Sequence, residues 1–496
     1  MRLPELCTNE QLESSRFTLD RTLSQILPQT CHRNRTLQTS SRLFRCTQST
    51  GTLIALFGAL FLTLFSTSRA DRRPEAILTL VRPPTRAELT ARNSHAKYEP
   101  RAGCYLGAYI DFDGTLKPFY TDTSKTEHRD PGTFENFVNR AHAMYFFYLG
   151  YGKPLPLDWV TWLHTHNKFV HIALEPNNGL KAVKNDRYLQ KLADDMARSH
   201  ARIFLRFASE MNGKWTAYHG DPTKYREAFR LVHDVMAKRA PNVAMVWCPY
   251  FMPSEPIQEY YPGDQFVDWV GVNMYSVTYH NNSLRAPCSE EHPCDMLDTV
   301  YKRYAAIKPI MICEYGATHL AACDATPVPD FAIRKLSSLY NSLPAKYPRV
   351  KAINYFDSNT LQFAADLAYN DYSVTNDEHI RSAYNLAVSG SYFLDRPQPW
   401  PDNRAASPPV AMPIKDGDVL RGNVEIGCWA RTPSDRLSVR YLIDNFVVYS
   451  ADEPDRWTFF WPADKAAIGK HKLMLKILNS HGRTIAEQAH TVIVQH

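Results

Sequence analysis

The sequence predicts a parallel (β/α)8 barrel followed by an all-β sandwich, on three observations. Eight short apolar runs, most of them followed by a stretch of helical periodicity, occupy residues 105–388. A proline-rich break follows, from Arg396 to Met412. Beyond it the periodicity changes to two, with turn residues about every ten positions, the pattern of short sandwich strands.

The barrel elements follow in order. Strands are expected at 105–110, 143–148, 169–174, 203–207, 244–248, 267–272, 310–313 and 352–356, because each is a run of apolar and β-branched or aromatic residues ended by polar or turn-forming ones. Helices are expected at 157–166, 186–200, 223–239, 295–307, 329–343 and 378–388, where apolar residues recur three and four apart. An open doubly wound sheet is the rival architecture. It wants a Gly-x-Gly-x-x-Gly turn after the first strand, and the sequence has none. The domain reading is a tail at 1–70, a linker at 71–100, the barrel at 101–395, a proline-rich linker at 396–412 and an immunoglobulin-like sandwich at 413–496.

The ends of two strands carry the chemistry. Arg206-Phe-Ala-Ser-Glu210-Met-Asn-Gly-Lys-Trp215 follows the fourth run, and Ile310-Met-Ile-Cys-Glu314-Tyr-Gly ends the seventh. In a parallel barrel, catalytic groups sit at the C-terminal ends of the strands. Two carboxyl groups facing each other there have the disposition that cleavage of a glycosidic bond requires. Arg206 is placed to hold Glu314 ionised if strand alternation turns it inward. Trp215 offers a flat face to a sugar ring, Asn212 and Gly213 permit a tight turn after the acid, and Tyr275 ends the sixth strand. Glu175 at the third strand and Trp247 at the fifth are further candidates at the barrel mouth.

The run Arg206 to Trp215, together with 260–275 and 308–316, resembles glycoside hydrolase family 26, the β-mannanase family within the retaining barrel glycosidases. The resemblance extends over residues 101–395. It implies that Glu210 is the acid/base, that Glu314 is the nucleophile and that Tyr275 donates to the nucleophile. Members usually place a His immediately before the acid, where this chain has Ser209. The eighth strand ends Tyr355-Phe-Asp357, where many relatives offer a Trp. Both departures bear on which sugar is recognised and leave the retaining mechanism in place. The substrate expected is a β-1,4-linked polysaccharide, mannan first, with mixed-linkage β-glucan or the cell's own exopolysaccharide as alternatives. A barrel that binds glycan without cutting it is the reading from another class. The sandwich resembles immunoglobulin-like modules appended to secreted hydrolases and is read as a spacer.

Charge and cysteine content bound the rest. The formal net charge is +6, and residues 1–70 hold eight Arg against four acidic groups. The remainder therefore has no concentrated basic face, which argues against nucleic-acid binding. The apolar run 53–65, after Arg42 and Arg45 and before Ser68 and Ala70, reads as a signal peptide or a membrane anchor facing outward. Export makes a local disulfide between Cys288 and Cys294 plausible. No Cys-x-x-Cys pair occurs, and His164, His166 and His171 do not share one helix face, so neither a metal nor an organic cofactor is expected. Asn281-Asn-Ser283 is a glycosylation sequon only in a eukaryotic host. A monomer is expected.

Overall fold

The computed structural model describes residues 74–496 except 92, 124, 365–368, 402–408, 432–435 and 453–456. The apolar run 53–65 lies outside the described residues. Among the described residues no helix is long and apolar enough to cross a membrane.

Eight parallel strands close into a barrel. After β1 (Glu75–Arg82) they are β2 (Cys104–Tyr109), β3 (Met144–Gly150), β4 (Phe169–Glu175), β5 (Ile203–Phe207), β6 (Val243–Trp247), β7 (Trp269–Ser276), β8 (Ile310–Ala317) and β9 (Val350–Phe356). Each pairs with the next, and β9 returns to β2 with Ala352 opposite Tyr105 and Phe356 opposite Tyr109. Residues on both strand faces are buried, as a helix-covered parallel sheet demands. The outer ring contains α1 (Pro131–Phe137), α2 (Leu157–Thr165), α3 (Arg187–Arg198), α4 (Pro222–Arg239), α5 (Pro293–Tyr304), α6 (Pro329–Lys346) and α7 (Glu378–Val388). Asp130, Asp186, Asp221 and Asp377 cap α1, α3, α4 and α7 through side-chain acceptors. α1 has too few turns to give a legible period and went unread in the sequence.

Alternation along the strands sorts the core into two layers. Phe204, Ala244, Val246, Cys248, Met311, Cys313 and Ala352 fill the barrel interior. Their neighbours Leu205, Phe207, Met245, Trp247 and Ile312 pack outward in the larger core against the helices. The interior is tight: a Cβ at Gly271 would lie 2.5 Å from Cys313 Sγ and 2.8 Å from Cys248 Cβ, so only glycine fits.

The all-β region is two sheets around a core of its own. One has the order β10 (Val410–Pro413), β1, β11 (Asn423–Arg431), β14 (Thr458–Pro462). The other contains the short strand Val419–Leu420, β16 (Thr484–Val494), β15 (Gly469–Asn479), β12 (Leu437–Ile443) and β13 (Phe446–Asp452), in that order. β1 is the departure from expectation. Residues 71–100 were read as a linker, yet β1 lies antiparallel between β10 and β11, with Leu78 and Leu80 in the sandwich core. Its partners are more than three hundred residues away in sequence, so no local pattern announces it. The rest of that stretch closes the base of the barrel. Tyr98 packs on Phe169 and Phe204, Trp269 Nε1 donates to the Lys97 carbonyl at 2.7 Å, and buried Glu99 pairs with Arg349 at 2.5 Å.

The two regions share packing. Val410, Met412 and Trp429 belong to the same apolar cluster as the barrel's outer layer. Lys346, at the end of α6, lies 4.5 Å over the Trp429 ring and 2.5 Å from Glu75, and Arg431 pairs with Asp295 of α5 at 2.7 Å. The expected bridge between Cys288 and Cys294 is not formed: both thiols are free. Cys294 sits in the first turn of α5, whereas the Cys288 sulfur turns to the Val277 carbonyl at 3.3 Å.

Candidate active site

Glu314 reaches the barrel mouth through an irregularity in β8. Met311 and Cys313 point inward, so strict alternation would turn residue 314 outward. The register against β7 shifts between Ile312 and Glu314, and the bulge brings Glu314 to the inner side opposite Asn273. Tyr315 then packs outward with Tyr340 and Tyr355.

Three donors converge on the Glu314 carboxylate. Arg206 Nη2 and the Tyr148 hydroxyl donate to Oε1, the latter at 2.7 Å, and the Tyr275 hydroxyl donates to Oε2. Arg206 is fully buried, with its guanidinium over the rings of Phe146 and Tyr148. Burial is the largest single influence and works against the arginine's charge, but the groups around it, Glu314 first, together outweigh burial and raise the guanidinium pKa well above its ordinary value. Arg206 and Tyr275 thus both donate to Glu314.

Glu210 is held differently. Asn273 Nδ2 donates to Oε1 at 2.8 Å and Trp215 Nε1 donates to Oε2 at 2.7 Å, which fixes the plane of the carboxyl group. Burial first, and then the Glu314 charge, push its pKa up to about 8, against the opposing effect of those two donors. The two glutamates therefore differ in surroundings: Glu210 is a buried group inclined to keep its proton, and Glu314 sits among three donors. Asn273 links them, because its Oδ1 also accepts from Arg206 Nη1 at 2.9 Å.

The loop that presents Glu210 is bent hard. Ala208 and Glu210 have φ of 49° and 59°, the left-handed region that costs a non-glycine residue roughly 1–3 kcal/mol in a functional loop. Glu175 restrains it, accepting from Ser209 Oγ at 2.5 Å and from the Tyr218 hydroxyl at 2.6 Å. Glu175, a candidate at the barrel mouth, thus has both carboxylate oxygens bonded within the protein and ties down the loop that carries Glu210. Asn212 is likewise committed, with Nδ2 donating to the Tyr250 and Pro253 carbonyls and Oδ1 accepting from the Tyr250 amide. Trp215 is half-buried, edge-on to Tyr250 at 5.3 Å, and lies so close over Gly213 that a Cβ there would be 2.2 Å from the indole. Trp247 is not at the cleft. Strand alternation sends it outward, fully buried between Tyr261 and Tyr304.

Tyr148, Asn273 and Tyr218 were not read from sequence. Asn273 had a signal: an amide in an otherwise apolar strand, two residues before Tyr275 and so on the same face. Around the pair, Tyr109, Phe146, Phe356 and Tyr372 form an aromatic cluster, with Tyr275 packed against Phe356 and Tyr372. The three histidines do not meet as a metal set, since His171 is in the barrel near Asn354 whereas His166 stacks on Trp162.

Residues 152–286 match the model of glycosyl hydrolase family 26. Endoglucanase H of Acetivibrio thermocellus is 23% identical over 373 residues, which are 66% of this chain and 37% of that protein. Beta-1,3-xylanase TXYA of a Vibrio species is 27% identical over 113 residues, 21% of this chain and 24% of that one. The chain thus spans well under half the length of these curated relatives. Among solved structures, a modular endo-beta-1,4-mannanase from Cellulomonas fimi superposes with a TM-score of 0.44 at 15% identity, covering 82% of this chain and 99% of that one. A beta-mannanase from Bacteroides ovatus does so with a TM-score of 0.40 at 15% identity, covering 59% and 90%. Over the matched segment, which holds Glu210, Trp215, Asn273 and Tyr275 and ends before Glu314, the chain is similar to glycosyl hydrolase family 26.

Proposed function

We propose that the protein is a retaining endo-β-glycosidase acting on β-1,4-linked polysaccharide, with a mannan-type backbone as first substrate. The observation that carries the reading is the pair of unlike glutamates, a proton-bearing Glu210 and a donor-clasped Glu314, joined through Arg206 and Asn273. Glu314 attacks the anomeric carbon and forms a glycosyl ester as the glycosidic C–O bond breaks. The leaving oxygen takes the proton of Glu210. Glu210, now a carboxylate, removes a proton from water, which attacks the same carbon and releases the sugar with Glu314 restored. Arg206, Tyr148 and Tyr275 orient the nucleophile, and both electron pairs and protons balance without a cofactor.

Ser209, in the place where the resembled family has His, supports a second reading of substrate within the same mechanism, mixed-linkage β-glucan. The names of the relatives add cellulose and β-1,3-xylan to the substrates worth testing. Action outside the cell is part of the proposal, supported by the apolar run 53–65; N-terminal sequencing of protein recovered from the medium would reveal a leader cut near Ala70 or an uncleaved anchor. The test of the chemistry is product release from mannan, galactomannan, lichenan, cellulose and β-1,3-xylan, with the product anomer followed by proton NMR. Retention at the anomeric carbon is expected, and Glu314→Ala should lower turnover by several orders of magnitude. An inverted product, or a Glu314→Ala variant of near-normal rate, would remove Glu314 from the nucleophile's role. Binding without cleavage would favour a glycan-holding barrel, and silence on every external polysaccharide would direct the search to the cell's own.

A further inference from the structure

The loop after β7 brings together three side chains of different donor type. His280, Cys288 and Glu291 place an imidazole nitrogen, a thiol sulfur and a carboxylate oxygen all within 4.8 Å of one another. Cys288 is buried and the other two are half-buried. The backbone holds them in place: the His280 amide donates to the Ala286 carbonyl at 2.9 Å, the Cys288 amide to Thr278 at 2.9 Å and the Glu291 amide to Cys288 at 3.0 Å. One end of the loop continues from the strand that carries Asn273 and Tyr275, and the other leads into α5.

One feature marks the cluster as a site and not a chance grouping. His280 Nε2 contacts Glu291 Oε1 at 2.8 Å, but the other carboxylate oxygen, Oε2, is buried with no hydrogen-bond partner. A buried carboxylate oxygen left without a donor is costly, and a cation at that point would satisfy it. Lys335 Nζ donates to the Glu291 carbonyl at 2.9 Å.

We propose that His280, Cys288 and Glu291 bind one divalent transition-metal ion of the Zn2+ type, as three protein ligands of a four-coordinate site with water in the fourth position. Mixed imidazole, thiolate and carboxylate ligation at about 2.0–2.3 Å suits that ion. The ion displaces the protons shared within the cluster, leaving a thiolate, a neutral imidazole and a carboxylate. Its role is to brace the loop between β7, which carries Asn273 and Tyr275, and α5. A search for paired cysteines cannot find such a site, because it uses one.

The test is metal binding by the purified full chain, independent of any sugar. Titration with Co2+ followed by visible absorption should give one equivalent bound, with a sulfur-to-metal charge-transfer band, and Zn2+ should displace it. Cys288→Ser should remove the band, and His280→Ala and Glu291→Gln should each weaken binding at least tenfold, whereas Cys294→Ser should leave the spectrum unchanged. No binding, a band unaltered by Cys288→Ser, or a Cys288–Cys294 disulfide found by peptide mass spectrometry would overturn the site. Should Cys288→Ser not fold, Glu291→Gln decides on the same readout, and unchanged affinity in that variant also overturns it.

Discussion

Each donor to the two glutamates has a separable effect. Trp215 and Asn273 donate to Glu210 and favour its charged form, so they work against the burial and the Glu314 charge that raise its pKa to about 8. In the proposed role of acid Glu210 must carry a proton, and kcat/KM should therefore fall as pH rises through about 8. Removing a donor to the carboxylate raises the pKa further. Trp215→Phe should accordingly move that basic limb to higher pH, and a limb that stays or moves down would show that the indole does not act on the proton of Glu210. Tyr148→Phe and Tyr275→Phe each remove a bond to a charged acceptor, worth about 1.5–3 kcal/mol, so each should cut kcat roughly 10–100-fold with the fold intact by circular dichroism. Of these residues, Glu210, Glu314, Arg206, Trp215 and Tyr275 were legible in the sequence, because strand ends and their flanking residues are local features. Tyr148 was not: its role depends on β3 lying across the barrel from β8, which no local pattern encodes. Trp247 misled for the opposite reason. It is a strand-end aromatic, and only the inward-facing Val246 and Cys248 on either side settle that it faces the helices.

Among the elements, the eight barrel strands and six of the outer helices were legible because each buries a face whose period is written locally. β1 was not, since its partners β10 and β11 lie beyond the barrel in sequence. The consequence is that the all-β region cannot be cut out at residue 413. β1 is an inner strand of its four-stranded sheet, and Leu78 and Leu80 fill the core shared with Ile426, Val439 and Leu475. A chain beginning at residue 101 would open the seam between β10 and β11 and uncover two strand edges. Such a chain should lose the unfolding transition of the sandwich and be cleaved within residues 410–496 by limited proteolysis, whereas a chain beginning at residue 71 should resist. Equal resistance in the two would mean that β1 is dispensable.

For the whole molecule, the sandwich is fastened to the barrel at both of its ends. β1 leads from the sandwich into the segment that closes the barrel base, where Glu99 meets Arg349, and β10 returns from the barrel's last helix. Between those covalent links lie Trp429, 2% exposed, with Lys346 over its ring, and the Arg431–Asp295 pair. Two chain crossings with a buried tryptophan between them make a joint that transmits stability, unlike a spacer on a single flexible tether. Trp429→Ala deletes the buried ring in that joint, and truncation of a buried Trp costs about 3–5 kcal/mol. Calorimetry of the parent should then show one cooperative transition or closely overlapping ones. The variant should show two that are separated, with the sandwich melting first and the glycosidase rate at low temperature preserved, because Trp429 belongs to the outer layer and not to the residues around Glu210 and Glu314. Two well-separated transitions already present in the parent would instead mark the regions as independent, and the sandwich would return to being a passive spacer.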